Sequence, residues 1–261
     1  MPSLAIRLVA TFAAALASLP AVAGAAEVCK AFGPQAPRDI ASKSGMNPQA
    51  FAPAPAATAL NLCNIHYHAQ AEHKGPGFAI FAGPGEHGGY KCDATADLTP
   101  AERAPFETHA GVAPGDTVEV HWVYSSCAVE PGAGLGSCLS DACANPQLRV
   151  ESQVFLLVND RDSLQFADFA YAGNRVDGRP QPKELPGGTG APVVFAGSTT
   201  GPSYTAQKCS PYQVTWSVRP QCAKLDIASL DAWGRDNVFK EDHAHGVREL
   251  VTAPALLAEI E

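Results

Sequence analysis

Residues 60–68 read Leu-Asn-Leu-Cys-Asn-Ile-His-Tyr-His, a run in which apolar and polar side chains interleave. Successive side chains of a β-strand point to opposite faces of a sheet, so this run is typical of a strand. Similar short runs, several of them rich in β-branched residues, follow at 117–124, 154–158, 192–196 and 213–218. The sequence therefore predicts a mainly β fold.

Glycine and proline separate the predicted strands, as in the Gly-Pro-Gly run at 83–85. This punctuation indicates long loops around the sheet. Helical patterns are few: Ser229 is expected to cap a short helix that ends at Trp233, and residues 246–261 leave room for a second helix. We find no internal repeat, and we expect residues 27–261 to form one domain.

The first 26 residues have the composition of a secretory signal peptide. Arg7 precedes an apolar run, which small residues close at Ala21-Val22-Ala23. A basic start, a short apolar core and a small-residue cleavage site define such peptides. We therefore expect residues 1–26 to direct export, to the periplasm or beyond it.

The charge balance excludes two classes of partner. The chain has 18 Lys and Arg against 26 Asp and Glu, a formal net charge of −8. An acidic chain without a basic block is a poor binder of nucleic acid or of anionic membranes. Hydrophobic residues make up 46% of the chain, a content that excludes an intrinsically disordered protein.

The eight cysteines need a separate explanation, because the chain contains no Cys-x-x-Cys pair. Without that pair, we expect neither a cysteine-based zinc site nor a thioredoxin-like motif. In the oxidising compartment of an exported protein, the cysteines are expected to form disulfides. Cys138 and Cys143 are near enough in sequence to close a small loop, although spacing alone leaves the pairing open.

Three histidines lie on predicted strands in a pattern typical of a metal site. His66 and His68 are two residues apart, so both side chains project from one face of their strand. Glu119 and His121 share a face of the next strand in the same way. Three imidazoles would hold a metal ion and leave a fourth position for water, as in catalytic zinc sites. The alternative is that all three are ordinary strand histidines.

These segments resemble motifs of the carbonic anhydrases. Residues 66–73 read His-Tyr-His-Ala-Gln-Ala-Glu-His, which resembles the bacterial alpha-class pattern His-Phe-His-Thr-Pro-Ser-Glu-His. Glu-Val-His at 119–121 resembles the family's Glu-x-His strand. Residues 29–40 are similar to its Cys-x-x-x-Gly-x-x-Gln-Ser-Pro-Ile-Asp-Ile opening, and 197–202 to its Gly-Ser-Leu-Thr-Thr-Pro-Pro segment. Val-Thr-Trp at 214–216, preceded by Cys209, resembles a further strand.

The resemblance implies an alpha-carbonic-anhydrase-like fold, a single domain with few short helices on a large, twisted and mostly antiparallel central sheet. It implies one Zn²⁺ per chain, held by His66, His68 and His121. The activity implied is reversible hydration of CO2 to bicarbonate and a proton through a zinc-bound hydroxide. By resemblance, Glu119 orients the third ligand, and Glu72 accepts a hydrogen bond from a threonine hydroxyl.

The identity of that threonine is open. Thr199 and Thr200 follow the Gly-Ser pair of the family segment, whereas counting back four residues from Cys209 gives Thr205. We favour Thr199. The resemblance also implies a disulfide between Cys29 and Cys209.

Departures from the alpha class identify the chain more closely with the delta class. Residues 36–65 form a shorter stretch before His66 than alpha enzymes have, and the segment that carries their proton-shuttle histidine has no counterpart. The chain also has additional residues between Thr200 and Val214. We assign no proton shuttle, because several histidines are candidates: His73, His87, His109, His243 and His245.

Two other functions are compatible with parts of the pattern. His-x-His-x-x-x-Glu at 66–72 followed by His121 is also typical of cupin oxygenases and isomerases, in which Glu72 would bind iron or manganese. Glu119, together with Gln35 and Trp216 of the family segments, favours a carbonic anhydrase instead. The third hypothesis is a non-catalytic zinc-binding protein.

Overall fold

The structure, a computed structural model, describes residues 29, 31–49, 51–199 and 209–261. The predicted signal peptide lies outside the described residues, and so do Thr200 and Thr205. Within the described ranges, no helix has the length and apolar character needed to cross a membrane.

The described chain is built mainly of short strands joined by long loops. The strands are β1 Asn61–Ala69, β2 Ile80–Gly83, β3 Gly89–Lys91, β4 Thr117–Ser125, β5 Leu148–Val158, β6 Arg175–Val176, β7 Arg179–Pro180, β8 Val193–Ser198, β9 Gln213–Val218 and β10 Ala223–Asp226. The α-helices are α1 Phe166–Phe169 and α2 Ile227–Arg235, and 3-10 turns lie at Ala57–Ala59, Asp93–Asp97, Leu135–Cys138 and Pro254–Leu256. The prediction of a mainly β fold with few short helices is confirmed.

The central sheet has the strand order β1-β4-β5-β9-β8, and β10 also pairs with β5. The pairs β1–β4, β4–β5 and β8–β9 are antiparallel, whereas β9 and β10 both run parallel to β5. The sheet is therefore mixed rather than purely antiparallel. Both β9 and β10 can pair with β5, because β9 pairs with the first half of β5 and β10 with its second half. Two separate hairpins, β2–β3 and β6–β7, complete the strands.

Apolar residues cover both faces of the sheet. One core contains Trp122, Tyr67 and Phe155, while the other contains Val123, Val154 and Trp216. Every residue of β4 is buried as a result. Polar groups on this strand, Glu119 and His121 among them, therefore need partners within the protein.

The helical expectations are corrected in two places. Asp226, not Ser229, caps α2, because its side chain accepts a hydrogen bond from the Ala228 N–H. Residues 246–261 do not form an α-helix and contain only the short 3-10 turn at Pro254–Leu256. The backbone of this tail instead bonds to the N-terminal segment, where Val251 N–H donates to the Pro37 carbonyl at 2.9 Å.

All eight cysteines form disulfides. The bond implied by resemblance, Cys29–Cys209, is present. The small loop between Cys138 and Cys143 is not formed, because these residues pair with Cys63 and Cys127 respectively. The fourth bond joins Cys92 to Cys222.

Candidate metal centre

The three predicted histidine ligands meet on one face of the paired strands β1 and β4. The antiparallel register places His66 opposite His121 and His68 opposite Glu119. The His66 and His121 ring centroids lie 5.1 Å apart, and those of His68 and His121 lie 4.8 Å apart. One ring nitrogen of each histidine lies within 4.8 Å of the other two.

Each of these rings is oriented by a hydrogen bond from its other nitrogen. His66 Nδ1 donates to Asn64 Oδ1 at 2.7 Å, and His68 Nδ1 donates to the Gly246 carbonyl at 2.8 Å. His121 Nε2 donates to Glu119 Oε1 at 2.9 Å. Each acceptor fixes the ring proton on the nitrogen that faces it. The unprotonated nitrogens are therefore Nε2 of His66, Nε2 of His68 and Nδ1 of His121.

The unprotonated nitrogens face one another. His66 Nε2 and His121 Nδ1 are 3.3 Å apart. Burial lowers the pKa of His66 well below its usual value, and burial likewise lowers the pKa of His68 and of His121. The three rings are therefore neutral, the form in which imidazole binds metal.

Glu119 is the most heavily hydrogen-bonded side chain of the site. Its Oε1 accepts from His121 Nε2 at 2.9 Å, His73 Nδ1 at 2.8 Å and Ser152 Oγ at 2.6 Å. Its Oε2 accepts from the backbone N–H groups of Glu72 and His73, at 2.6 and 3.0 Å. Burial alone would raise the pKa of Glu119, but His73 and His121 hold that pKa well below its usual range.

A cavity of about 620 Å³ opens onto the first two histidines. The loop around Leu135 forms one wall, and residues 239–246 form another. His245 lies on this second wall, with its ring centroid 5.9 Å from that of His66 and 6.0 Å from that of His68. Its hydrogen bond to the Glu241 carboxylate raises the pKa of His245 above the usual value.

A second, apolar cavity of about 150 Å³ adjoins the first, since Leu135 and Gly136 line both. Val123 lines it, two residues beyond His121 on the same face of β4, and Thr199 lies opposite. The larger cavity, with polar side chains in its lining, thus reaches His66 and His68, and the smaller apolar cavity adjoins it.

Glu72 and the threonine predicted to bond to it are described only in part. The Glu72 carboxylate is buried and accepts from the Arg248 N–H at 3.3 Å. Thr199 extends the β8–β9 pairing, with its N–H donating to the Tyr212 carbonyl at 2.9 Å. Within the described chain, no hydrogen bond joins the Thr199 hydroxyl to Glu72, and its role stays a prediction.

The remaining histidines lie outside the cluster or behind it. His73 is buried behind His121 and forms a second group with Glu72 and His121, but its Nδ1 is engaged by Glu119. His109 bonds to Asp231, and the exposed His243 bonds to Asp242, with its ring 5.2 Å from that of His245. Exposed His87 lines neither cavity.

The residues present match a zinc ion by their donor chemistry. Ligand nitrogens of a tetrahedral zinc site stand about 3.4 Å apart, because each bond is about 2.1 Å long. The 3.3 Å separation of His66 Nε2 and His121 Nδ1 matches this spacing. Two lone pairs at that distance repel each other unless a cation or a proton lies between them.

The family comparison decides between the three hypotheses. A family model described as delta carbonic anhydrase matches residues 57–229, which is more than half of the chain and includes all three histidines. The chain belongs to the delta carbonic anhydrase family. The prediction of a carbonic anhydrase is thereby confirmed, and the cupin and non-catalytic alternatives are set aside.

Among solved structures, the chain is similar to the alpha-carbonic anhydrase of Thermovibrio ammonificans in its complex with the inhibitor sulfanilamide. The two share 16% sequence identity with a TM-score of 0.30, over 79% of this chain and 80% of that one. No curated protein matches the chain. The delta carbonic anhydrase assignment therefore depends on the family model.

The sequence analysis did not predict three groups that form hydrogen bonds with the site residues. Asn64 precedes His66 by two residues and shares its face of β1, so the same alternation would have found it. Ser152 and the Gly246 carbonyl come from β5 and from the C-terminal segment. No local sequence signal points to these two.

Proposed function

We propose that this member of the family is a zinc-dependent carbonic anhydrase that hydrates CO2 reversibly at the His66–His68–His121 site, with one zinc ion per chain. The observation that carries the proposal is the convergence of three neutral imidazoles, each with its lone pair directed at the others. That donor set is the one used by catalytic zinc sites that keep a position open.

Zinc held by three imidazoles lowers the pKa of water to about 7, a value known from carbonic anhydrases themselves, and so supplies a nucleophile at neutral pH. The protein's part is to keep the donor set uncharged, because a carboxylate or thiolate ligand would cancel part of the metal's charge. Glu119, the one carboxylate among the described residues that bonds to a predicted ligand, accepts from the His121 nitrogen that lies away from the metal position.

The two cavities divide the reactants by polarity. CO2 is a neutral apolar molecule, and the small cavity lined by Val123, Leu135 and Leu148 offers it an apolar wall. Water and bicarbonate are polar, and the larger cavity, with Asn64, Lys240 and His245 in its lining, suits them. Glu72 is proposed to orient the nucleophile through the hydroxyl of Thr199, Thr200 or Thr205.

We also propose that the protein is exported. Four disulfides are typical of an oxidising compartment, and the basic start and apolar run at residues 1–26 are those of a signal peptide. The acidic chain is proposed to act on a small-molecule substrate, without nucleic acid or membrane as a partner.

Metal analysis combined with stopped-flow CO2 hydration tests the function. We expect one zinc per chain and hydration far above the uncatalysed rate, and His121→Ala should lose both. His87→Ala, which changes an exposed histidine outside both cavities, is the matched control and should retain both. A wild-type protein that holds zinc but shows background hydration would refute the proposal, and so would an active His121→Ala variant.

A further inference from the structure

The loop that walls both cavities is tied to the strand that carries the first two histidines. Cys138, at the end of the 3-10 turn, forms a disulfide with Cys63 on β1. The Cys63 carbonyl also accepts from Gly132 N–H at 3.0 Å and from Ser137 Oγ at 2.7 Å. Three links therefore join residues 132–138, here called the wall loop, to a single residue of β1.

Asn64, the residue after Cys63, bonds in two directions. Its Nδ2 donates to the Gly132 carbonyl of the wall loop at 3.1 Å, and its Oδ1 accepts from His66 Nδ1 at 2.7 Å. A carboxamide has one donor end and one acceptor end of nearly equal shape. The Gly132 carbonyl accepts only, so it selects the orientation in which the Asn64 oxygen faces His66.

That orientation decides which nitrogen of His66 carries the proton. If the Asn64 amide turned over, its NH2 group would face His66 Nδ1 and favour the opposite tautomer, with the proton on Nε2. Nε2 is the nitrogen that lies 3.3 Å from His121 Nδ1. A proton there would block the position at which the three lone pairs converge.

We propose that the Cys63–Cys138 disulfide is a positioning element of the metal centre, which acts through the wall loop and Asn64 to hold His66 in its metal-binding tautomer. The inference rests on the proposed metal site. Both sulfurs are buried, with Cys63 0% and Cys138 1% exposed, so the tie is a permanent part of the fold. The effect of the disulfide on the His66 tautomer can be tested on metal-free protein.

A neighbouring disulfide provides a matched control. Cys127 and Cys143 close residues 127–143, the segment that contains the wall loop, with a sequence separation of 16. Neither residue contacts Asn64 or His66 through a hydrogen bond in the described chain. Removing this bond loosens the two ends of that segment but leaves the three links between Cys63 and the wall loop in place.

The experiment compares two double variants, Cys63→Ala with Cys138→Ala, and Cys127→Ala with Cys143→Ala. Long-range ¹H–¹⁵N NMR spectra of the metal-free proteins report the tautomer of His66, and competition with a chelator gives the zinc Kd. We expect the first variant to populate the Nε2–H tautomer and to raise the zinc Kd by about 10- to 100-fold, as losses around metal ligands do. The control should keep the Nδ1–H tautomer and the wild-type Kd.

Asn64→Asp provides a rescue that a merely structural role would not show. A carboxylate has no donor end, so it accepts from His66 Nδ1 whichever way it turns. Added to the Cys63→Ala, Cys138→Ala variant, it should restore the Nδ1–H tautomer and bring the zinc Kd back toward wild type. Added alone, it sets a carboxylate against the Gly132 carbonyl and should not tighten binding.

If the double variant fails to fold, Ser137→Ala is the milder test, because of the three links to Cys63 it removes only the hydrogen bond from Ser137 to the Cys63 carbonyl. We then expect a partial shift toward the Nε2–H tautomer. The inference is overturned if folded variants keep the Nδ1–H tautomer, or if Asn64→Asp does not rescue. A wild type that shows the Nδ1–H tautomer but binds no zinc would count against the proposed function alone.

Discussion

His121 and Glu119, two residues apart on β4, are joined by a 2.9 Å hydrogen bond from His121 Nε2 to Glu119 Oε1. Both side chains are buried in the central sheet. The bond leaves His121 Nδ1 free to face the nitrogens of β1, whereas the other two rings present Nε2. One carboxylate thus determines how the third imidazole enters the site.

The first prediction concerns Glu119→Gln. The glutamate accepts five hydrogen bonds, and an amide NH2 in place of one oxygen would face N–H or O–H donors on whichever side it turned. We expect the zinc Kd to rise by about 10- to 100-fold and the free energy of unfolding to fall by about 3 kcal/mol. Urea unfolding and chelator competition measure the two effects. Glu107→Gln, at an exposed site, should change neither quantity.

The second prediction concerns Val123→Phe, which fills the small apolar cavity that Val123 lines. We expect kcat/KM for CO2 hydration to fall about tenfold or more, which corresponds to at least 1.36 kcal/mol of barrier. Dehydration of bicarbonate must fall by the same factor, since the equilibrium constant fixes the ratio of the two. Zinc affinity should not change. Val194→Phe on an exposed part of β8 is the control, and equal rates in both variants would show that CO2 does not use this cavity.

The third prediction concerns acid stability and Asp231 on α2. Burial by itself raises the pKa of this carboxyl, but hydrogen bonds from Arg235 and His109 lower it below the usual value. A carboxyl whose folded pKa is depressed stabilises the protein above its unfolded pKa of about 3.9 and loses that contribution as pH falls through the folded value. Asp231→Asn should therefore cost stability at pH 7 and less at pH 3, as measured by urea unfolding. Asp236→Asn, at an exposed position, should show no such difference.

The fourth prediction concerns the oxidation state of the cysteines. Because all eight are paired, alkylation of the denatured, unreduced protein should label no thiol, and reduction should expose eight. Peptide mapping without reduction should recover Cys63 linked to Cys138 and Cys127 linked to Cys143. A peptide linking Cys138 to Cys143 would contradict the fold around the wall loop.

Alternation alone locates the best strands closely. The run at 213–218 is β9, and the run at 60–68 differs from β1 by one residue at each end. By contrast, β5 begins at Leu148, six residues before the predicted start, because its first half carries charge. Arg149 donates to Glu151 at 2.6 Å, and Arg219 pairs with the same carboxylate from outside the strand. A partner so distant in sequence cannot be anticipated from local pattern.

The residues that share a face could be read from the sequence. His66 with His68, and Glu119 with His121, follow from the two-residue period of a strand, and the family resemblance followed from the same residues. Which nitrogen of each ring is free depends on the folded chain, because folding places the acceptors that fix the protons. The Gly246 carbonyl reaches His68 across 178 residues, and Gly132 orients Asn64 across 68. Apart from Cys29–Cys209, which the resemblance implied, the disulfide pairings came from the fold in the same way, since a covalent bond needs proximity that spacing along the chain does not encode.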